Sequence, residues 1–193
     1  MNGKLNGKDL VNVGIYSAIY FVIVFAVAML GLIPIMYPML AVIVPIVGGV
    51  VFMLFLTKVK KFGMIWIMSI IMGIMMLLTG MSFYSLVVGI FSGLAAELIY
   101  KSGRYASSSK AVLTNGVFSL WIAANYLLFF LNRESYLASR TEMIGPEFAE
   151  AVNAMLPPWS FVVLVVVCFI CGLIGGLLGK KLLAKHFKKA GIV

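Results

Sequence analysis

Charged side chains are scarce in this sequence, and their scarcity excludes a soluble globular domain. Only 11% of the 193 residues are Asp, Glu, Lys or Arg, whereas 63% are hydrophobic and the mean hydropathy is +1.13. A soluble domain has about 25% charged and about 45–50% apolar residues. The composition therefore indicates an integral membrane protein, and we expect one domain over residues 1–193.

Residues that carry catalysis or hold metals are also few. The one histidine, His186, lies in a basic tail where we expect it to be solvated, and the two cysteines, Cys168 and Cys171, lie inside an apolar run. Buried thiols of this kind are inert. The phosphate-loop pattern GxxxxGK[ST] is missing, so an ATP-driven process would need a partner with the ATPase. We expect no enzyme, no catalytic residues, no cofactor and no metal.

Long apolar runs dominate what the sequence does contain. A membrane-spanning helix needs about 20 apolar residues. The sequence predicts an all-α membrane protein with six such helices, and residues 132–158 form a long polar loop before the last one. The predicted helices cover residues 10–32, 39–56, 64–80, 83–100, 111–131 and 159–183.

Basic residues concentrate on one side of this predicted bundle. Of the 15 Lys and Arg residues, 13 lie in the N-terminal segment, the 58–61 and 101–110 connections, and the tail from Lys180; Arg133 and Arg140 lie in the 132–158 loop, with four of the six acids. Cytoplasmic loops are rich in Lys and Arg. Both termini are therefore predicted to be cytoplasmic. The net charge of +9 reflects topology and contact with the lipid bilayer, so nucleic acid is not an expected partner.

One carboxylate falls inside an apolar run. Glu97 lies about one turn from the cytoplasmic end of the fourth predicted helix, four residues before Lys101. Opposite charges at this spacing pair on a helix surface. We expect a structural ion pair between them, with contact to a partner protein as the alternative.

Aromatic and amide residues gather towards the external ends of the predicted helices. Trp and Tyr at this level are typical of an interfacial belt, whereas an amide within a span needs partners and is also typical of a small-molecule pocket. Both interpretations stay open. A pocket here would take a largely apolar or aromatic ligand, and Arg133 or Arg140 would either meet an anionic group on it or be solvated. The candidate substrate-binding residues are Tyr37, Tyr84, Trp121, Asn125, Tyr126, Arg133 and Trp159.

Small residues recur at the four-residue spacing that lets helices approach closely in lipid. The pairs Gly89–Gly93, Gly172–Gly176 and Gly175–Gly179 are expected to pack internally. A similar patch, Gly14, Ser17 and Ala18 in the stretch GIYSAIY, lies near the cytoplasmic end of the first helix. It indicates either internal packing or a docking surface for a partner protein.

The stretches GIYSAIY, GLAAELIYKSGRY (residues 93–105) and NGVFSLWIAANYLLFF (residues 115–130) carry a resemblance. Together with the topology and the missing phosphate loop, they resemble the S components of energy-coupling factor (ECF) transporters. The local sequence is most similar to the group of these proteins called Trep_Strep. The resemblance covers nearly the whole chain as a pattern of weak signals.

This resemblance implies a bacterial plasma-membrane protein that captures a vitamin or other micronutrient outside the cell. It also implies docking on a transmembrane coupling protein that carries two cytoplasmic ATPases. In the family an A-x-x-x-A motif on the first helix forms part of the docking surface, and the matching positions are Gly14 and Ala18. The segments after the first, third and fifth helices would line the pocket. The alternative function is a self-sufficient membrane carrier or channel without ATPase partners.

Overall fold

The computed structural model describes residues 4–189, except for the side chains of His186 and Phe187, so the expectation for His186 lies outside the described residues. Within this range the chain is helical and has no strand. The ten α-helices of the described part are α1 (Gly7–Ala28), α2 (Met36–Leu56), α3 (Met64–Leu78), α4 (Phe83–Ser102), α5 (Ser108–Phe118), α6 (Leu120–Leu131), α7 (Arg133–Met143), α8 (Pro146–Met155), α9 (Ser160–Leu182) and α10 (Ala184–Lys189).

Five helical segments of the described chain are long and apolar enough to cross a membrane. They are Gly7–Leu32, which adds a 3-10 turn to α1, and then α2, α4, the α5–α6 pair and α9. The remaining apolar helix, α3, has 15 residues and is therefore about 22 Å long, against about 30 Å of bilayer hydrocarbon. The all-helical membrane architecture is thus confirmed. A sixth span and the orientation of the termini stay predictions.

The fifth predicted helix, residues 111–131, is divided into α5 and α6 at Ser119. The hydroxyl of Ser119 donates a hydrogen bond of 2.8 Å to the main-chain carbonyl of Asn115, one turn earlier. A serine that bonds back in this way often bends its helix. The side-chain amide of Asn115 also donates to the main-chain carbonyl of Gly172 on α9, at 2.5 Å. This hydrogen bond attaches the last turns of α5 to α9.

The polar segment 132–158 is mostly helical rather than an irregular loop. It forms α7 and α8, which we call the cap helices. They are separated by Gly145, whose φ of 122° lies in the region that favours glycine, and Pro146 begins α8. Both helices bury one face, including Tyr136 on α7 and Phe148 on α8.

The core is built around a close crossing of α2 and α9. A Cβ atom on Gly49 would lie 3.0 Å from the Cα of Gly175, and one on Gly175 would lie 2.9 Å from the Cα of Ile46. A Cβ atom on Gly93 of α4 would meet the side chain of Ser69 on α3. Cβ atoms on Gly89, Gly172, Gly176 and Gly179 would also lie within 4 Å of atoms of neighbouring helices, so the predicted internal packing of the three glycine pairs is confirmed.

One end of the bundle carries most of the lysines, and we call it the basic end. It contains the start of α1 and the α2–α3 and α4–α5 connections. Lys61 forms an ion pair of 2.7 Å with Asp9 and donates to the main-chain carbonyl of Lys4 at 3.1 Å. Lys101 lies over the ring of Phe62, 4.8 Å from its centroid. These contacts tie the N-terminal segment to the α2–α3 connection.

The predicted ion pair between Glu97 and Lys101 is wrong. Instead, the fully buried Glu97 carboxylate accepts hydrogen bonds from the backbone N–H groups of Ile65 at 2.8 Å and Trp66 at 3.3 Å, and from the Tyr105 hydroxyl at 3.1 Å. These N–H groups begin α3, where a negative charge is favourable. Burial, together with this carboxylate, raises the pKa of Tyr105 above its ordinary value.

Candidate functional site

A cavity of about 710 Å³ lies opposite the basic end, and we call this part of the bundle the cavity end. Small-molecule sites commonly have volumes of about 300–1,000 Å³. The walls come from α1, α2, α3, α4 and α6, and the cap helices contribute Tyr136, Arg140 and Phe148. The cavity is therefore large enough for a small molecule of drug-like size.

Two turns at the cavity end form part of the cavity wall. The 3-10 turn after α1 brings Gly31 to the wall, and the turn between α3 and α4 brings Gly80, whose φ is 82°. Because α3 ends at Leu78, the α3–α4 turn closes early and Ser82 and Phe83 also line the cavity. The α3–α4 turn is therefore part of the cavity wall.

Five of the seven candidate substrate-binding residues line this cavity together. The hydroxyl of Tyr126 donates to the main-chain carbonyl of Tyr37 at 2.8 Å, and the two rings meet edge to face with centroids 5.2 Å apart. The hydrogen bond and the ring contact hold Tyr37 and Tyr126 in fixed positions. The two rings therefore form a preformed aromatic wall. The five residues are Tyr37, Tyr84, Trp121, Asn125 and Tyr126.

Asn125 both lines the cavity and bonds to a neighbouring helix and to its own. Its Oδ1 accepts from the hydroxyl of Ser85 on α4 at 2.6 Å, and its Nδ2 donates to the carbonyls of Trp121 at 3.3 Å and Ile122 at 3.2 Å. Pocket lining and helix bonding were alternatives at the level of the sequence. The structure shows that one residue makes both kinds of contact.

The other two candidates, Arg133 and Trp159, are not among the residues that line the cavity. Arg133 donates to the side chain and the main-chain carbonyl of Asn153, both at 2.7 Å, and to the carbonyl of Leu156 at 2.9 Å, which ties α7 to the end of α8. Trp159 is 67% exposed just before α9. A position at the aromatic belt accounts for Trp159.

Sequence reasoning missed the aromatic contributions of the cap helices. Tyr136 and Phe148 both line the cavity, and the Tyr136 hydroxyl donates to the Tyr37 hydroxyl at 2.8 Å. A signal was present, because Tyr136 and Arg140 lie four residues apart, as do Phe148 and Val152. This spacing places each pair on one helical face.

The patch on α1 lies towards the basic end and is divided between two faces. Gly14 and Ala18 are exposed, and a Cβ atom on Gly14 would meet no atom within 4 Å. Ser17 is 1% exposed and faces the bundle interior. The open part of the patch therefore consists of Gly14 and Ala18, without Ser17.

Residues 4–189 contain no group of three or more His, Cys, Asp or Glu side chains placed to hold a metal ion. The cavity itself is lined by one charged residue, Arg140, among the described residues. The other polar groups of the lining residues are hydroxyls, the amide of Asn125, the indole N–H of Trp121 and main-chain atoms. Such a site is suited to reversible binding of a small molecule.

Comparison with known proteins gives a match to a protein family. Residues 7–189 match the Trep_Strep family, described as hypothetical bacterial integral membrane proteins. No curated protein and no solved structure shows significant similarity to the chain. The match covers nearly the whole chain and agrees with its long apolar helices. The chain therefore belongs to the Trep_Strep family of bacterial integral membrane proteins.

Proposed function

We propose that this chain is the substrate-capture subunit of an ATP-driven importer of the ECF type in the bacterial plasma membrane. It binds a small micronutrient in the cavity and docks through α1 on a transmembrane coupling protein that carries two ATPases. It is not itself an enzyme. The observation that carries the proposal is the placement of two features at opposite ends of one bundle: a preformed cavity, and an exposed patch of small residues near the basic end.

The cavity supports the capture step. If the basic end faces the cytoplasm, as the positive charge predicts, then the cavity faces the outside of the cell. Its aromatic wall is held by hydrogen bonds between Tyr37, Tyr126 and Tyr136. A site that is ordered before binding loses less conformational entropy when a ligand binds.

The open patch on α1 supports the docking step. The other paired glycines already contact neighbouring helices, whereas Gly14 faces open space. Of the five candidate spans, the one containing α1 is the least covered, with 22% of its most apolar window buried against 33–67% for the others. In lipid, small residues allow a second helix to pack closely, so this surface fits a transmembrane helix of the coupling protein.

Affinity purification from the native bacterium tests the proposal. The tagged chain should recover a membrane protein and two ATPases, and Gly14→Leu with Ala18→Leu should abolish the recovery, because two leucines would hold the helices apart. Ala18→Leu alone should weaken it. Ala95→Leu is the matched control, since Ala95 is also small and exposed but lies on α4.

Two results would contradict the proposal. One is unchanged recovery of the partners with the double variant, provided that the variant elutes from a sizing column like the wild type. The other is substrate uptake by liposomes that contain this chain alone, which would support a self-sufficient carrier.

A further inference from the structure

Arg140 is the one charged residue that lines the cavity among the described residues, and it is half-buried. Its guanidinium lies over the ring of Tyr136, 5.0 Å from the centroid, which is a favourable cation–π distance. Because the Tyr136 hydroxyl is bonded to Tyr37, this ring is a fixed support. The charge of Arg140 is therefore held in place beside the cavity.

The donors of Arg140 are not used within the described chain. No described carboxylate lies within 4.0 Å of its guanidinium, and no hydrogen bond from that group to a described residue is present. Arg133, seven residues earlier, also lies over an aromatic ring, with its guanidinium 4.6 Å from the centroid of Phe129, but its hydrogen-bond donors are used. Its Nε, Nη1 and Nη2 atoms all donate to Asn153 or Leu156, and it is not among the residues that line the cavity. One arginine of the cap helices has a structural role, and the other keeps its donors available.

The rest of the wall is poor in groups that would recognise a charged or strongly polar molecule. Aromatic rings and aliphatic side chains make up most of it, and the amide of Asn125 already bonds to Ser85 and to its own helix. A ligand that matches both the apolar wall and the guanidinium of Arg140 has an apolar body and one anionic group. The planar guanidinium binds a carboxylate or phosphate through paired hydrogen bonds.

We propose that the cavity binds an amphipathic acid, whose apolar body lies against the aromatic wall and whose single acidic group pairs with Arg140. This inference rests on the proposed function, because it names the class of substrate that the capture subunit takes. Two kinds of molecule have this chemistry: an aromatic acid from the surrounding water and a fatty acid from the outer leaflet. The experiment below has one arm for each source.

Paired acids and amides test the proposal with the purified full chain in lipid nanodiscs. One arm compares naphthalene-2-carboxylate with naphthalene-2-carboxamide, and the other compares octanoate with octanamide. Each pair keeps the apolar body and replaces the carboxylate by a neutral amide, which removes the charge and turns one acceptor oxygen into an NH2 donor. Equilibrium dialysis against empty nanodiscs corrects for partition into lipid.

We expect at least one acid to bind about tenfold more tightly than its amide, as for a hydrogen-bonded charge. Arg140→Gln should remove this preference and leave binding of the amide unchanged, while Arg140→Lys should keep part of it. Arg104→Gln is the matched control, because it removes the same charge from an exposed residue of the α4–α5 connection at the basic end. It should leave the preference intact.

The arm that shows the preference identifies the source of the ligand. Equal binding of acid and amide in both arms would overturn the inference, as would an acid preference that survives Arg140→Gln or the absence of saturable binding by any of the four probes. None of these results affects recovery of the coupling protein. Conversely, failed recovery of the coupling protein alongside a clear acid preference would contradict the proposed function alone.

Discussion

The hydroxyl of Tyr136 donates a hydrogen bond of 2.8 Å to the hydroxyl of Tyr37, and this bond joins α7 to α2 beside the cavity. Tyr37 also accepts from Tyr126 through its main-chain carbonyl, and its ring meets that of Phe148 on α8 edge to face, with centroids 6.1 Å apart. Tyr37 is therefore the residue at which both cap helices and the aromatic wall meet.

Tyr136→Phe should loosen the cap helices without unfolding the bundle. The ring and its packing stay, but one hydrogen bond worth about 1 kcal/mol is lost. Hydrogen–deuterium exchange of the purified protein should become about fivefold faster in residues 133–155, because local opening costs less. Exchange in α2 and α9 should not change.

Tyr16→Phe is the control for this substitution. Tyr16 is half-buried on α1, and its hydroxyl makes no hydrogen bond to a described residue. Tyr16→Phe removes a tyrosine hydroxyl, as Tyr136→Phe does, but breaks no hydrogen bond to a described residue. Exchange in the cap helices should therefore match the wild type. Unchanged exchange in Tyr136→Phe would show that the Tyr136–Tyr37 bond does not hold the cap helices.

The aromatic wall could be predicted from the sequence because its members share a level in the membrane. Tyr37 lies just before the second predicted helix, and Trp121 and Tyr126 lie in the middle and the second half of the fifth, so the predicted topology places all three towards the same side. The role of Arg133 could not be predicted in this way. Its partner Asn153 lies 20 residues away on another helix, and only the packing of α7 against α8 brings the two together.

The same limit explains two local features that the sequence does not predict. Hydropathy places the apolar runs but does not indicate the interruption between α5 and α6 at Ser119, where the side chain bonds back to the Asn115 carbonyl. The Glu97–Lys101 spacing satisfied a rule for isolated helices. In the folded chain the N-terminus of α3 competes for the same carboxylate and offers two backbone donors at once.

Glu97→Gln should destabilise the fold. The neutral amide removes the negative charge from the N-terminus of α3 and turns one acceptor atom into a donor near the buried N–H groups of Ile65 and Trp66. We expect a loss of about 1–3 kcal/mol, which lowers the melting temperature by about 2–4 °C per kcal/mol for a chain of this length. Thermal unfolding in detergent, followed by circular dichroism, measures it.

Glu142→Gln is the matched control, because Glu142 is exposed on α7. Its melting temperature should equal that of the wild type within error. Equal melting temperatures for Glu97→Gln and the wild type would show that Glu97 is not the cap of α3 in the folded protein.

Alanine at Gly14 and at Gly175 should have opposite effects on stability. A Cβ atom on Gly175 would lie 2.9 Å from the Ile46 backbone, so we expect Gly175→Ala to cost about 1–3 kcal/mol through overpacking. Gly14 lies in open space within a helix, where alanine is favoured by about 0.5–1 kcal/mol. A lower melting temperature for Gly14→Ala would show that α1 packs against the bundle at this point.

Single cysteines at the two ends of the bundle should reveal its orientation in the membrane. Ser135 on α7 and Ser109 on α5 are both exposed, and they lie at the cavity end and the basic end respectively. The native Cys168 and Cys171 are buried within α9, so they add little labelling of their own.

In intact cells of a host without an outer membrane, a membrane-impermeant maleimide should label Ser135→Cys and leave Ser109→Cys unlabelled until the cells are opened. This result follows from the positive-inside rule, which assigns the basic end to the cytoplasm. Labelling of Ser109→Cys alone in intact cells would place the cavity inside the cell, and capture of an external substrate would then be impossible.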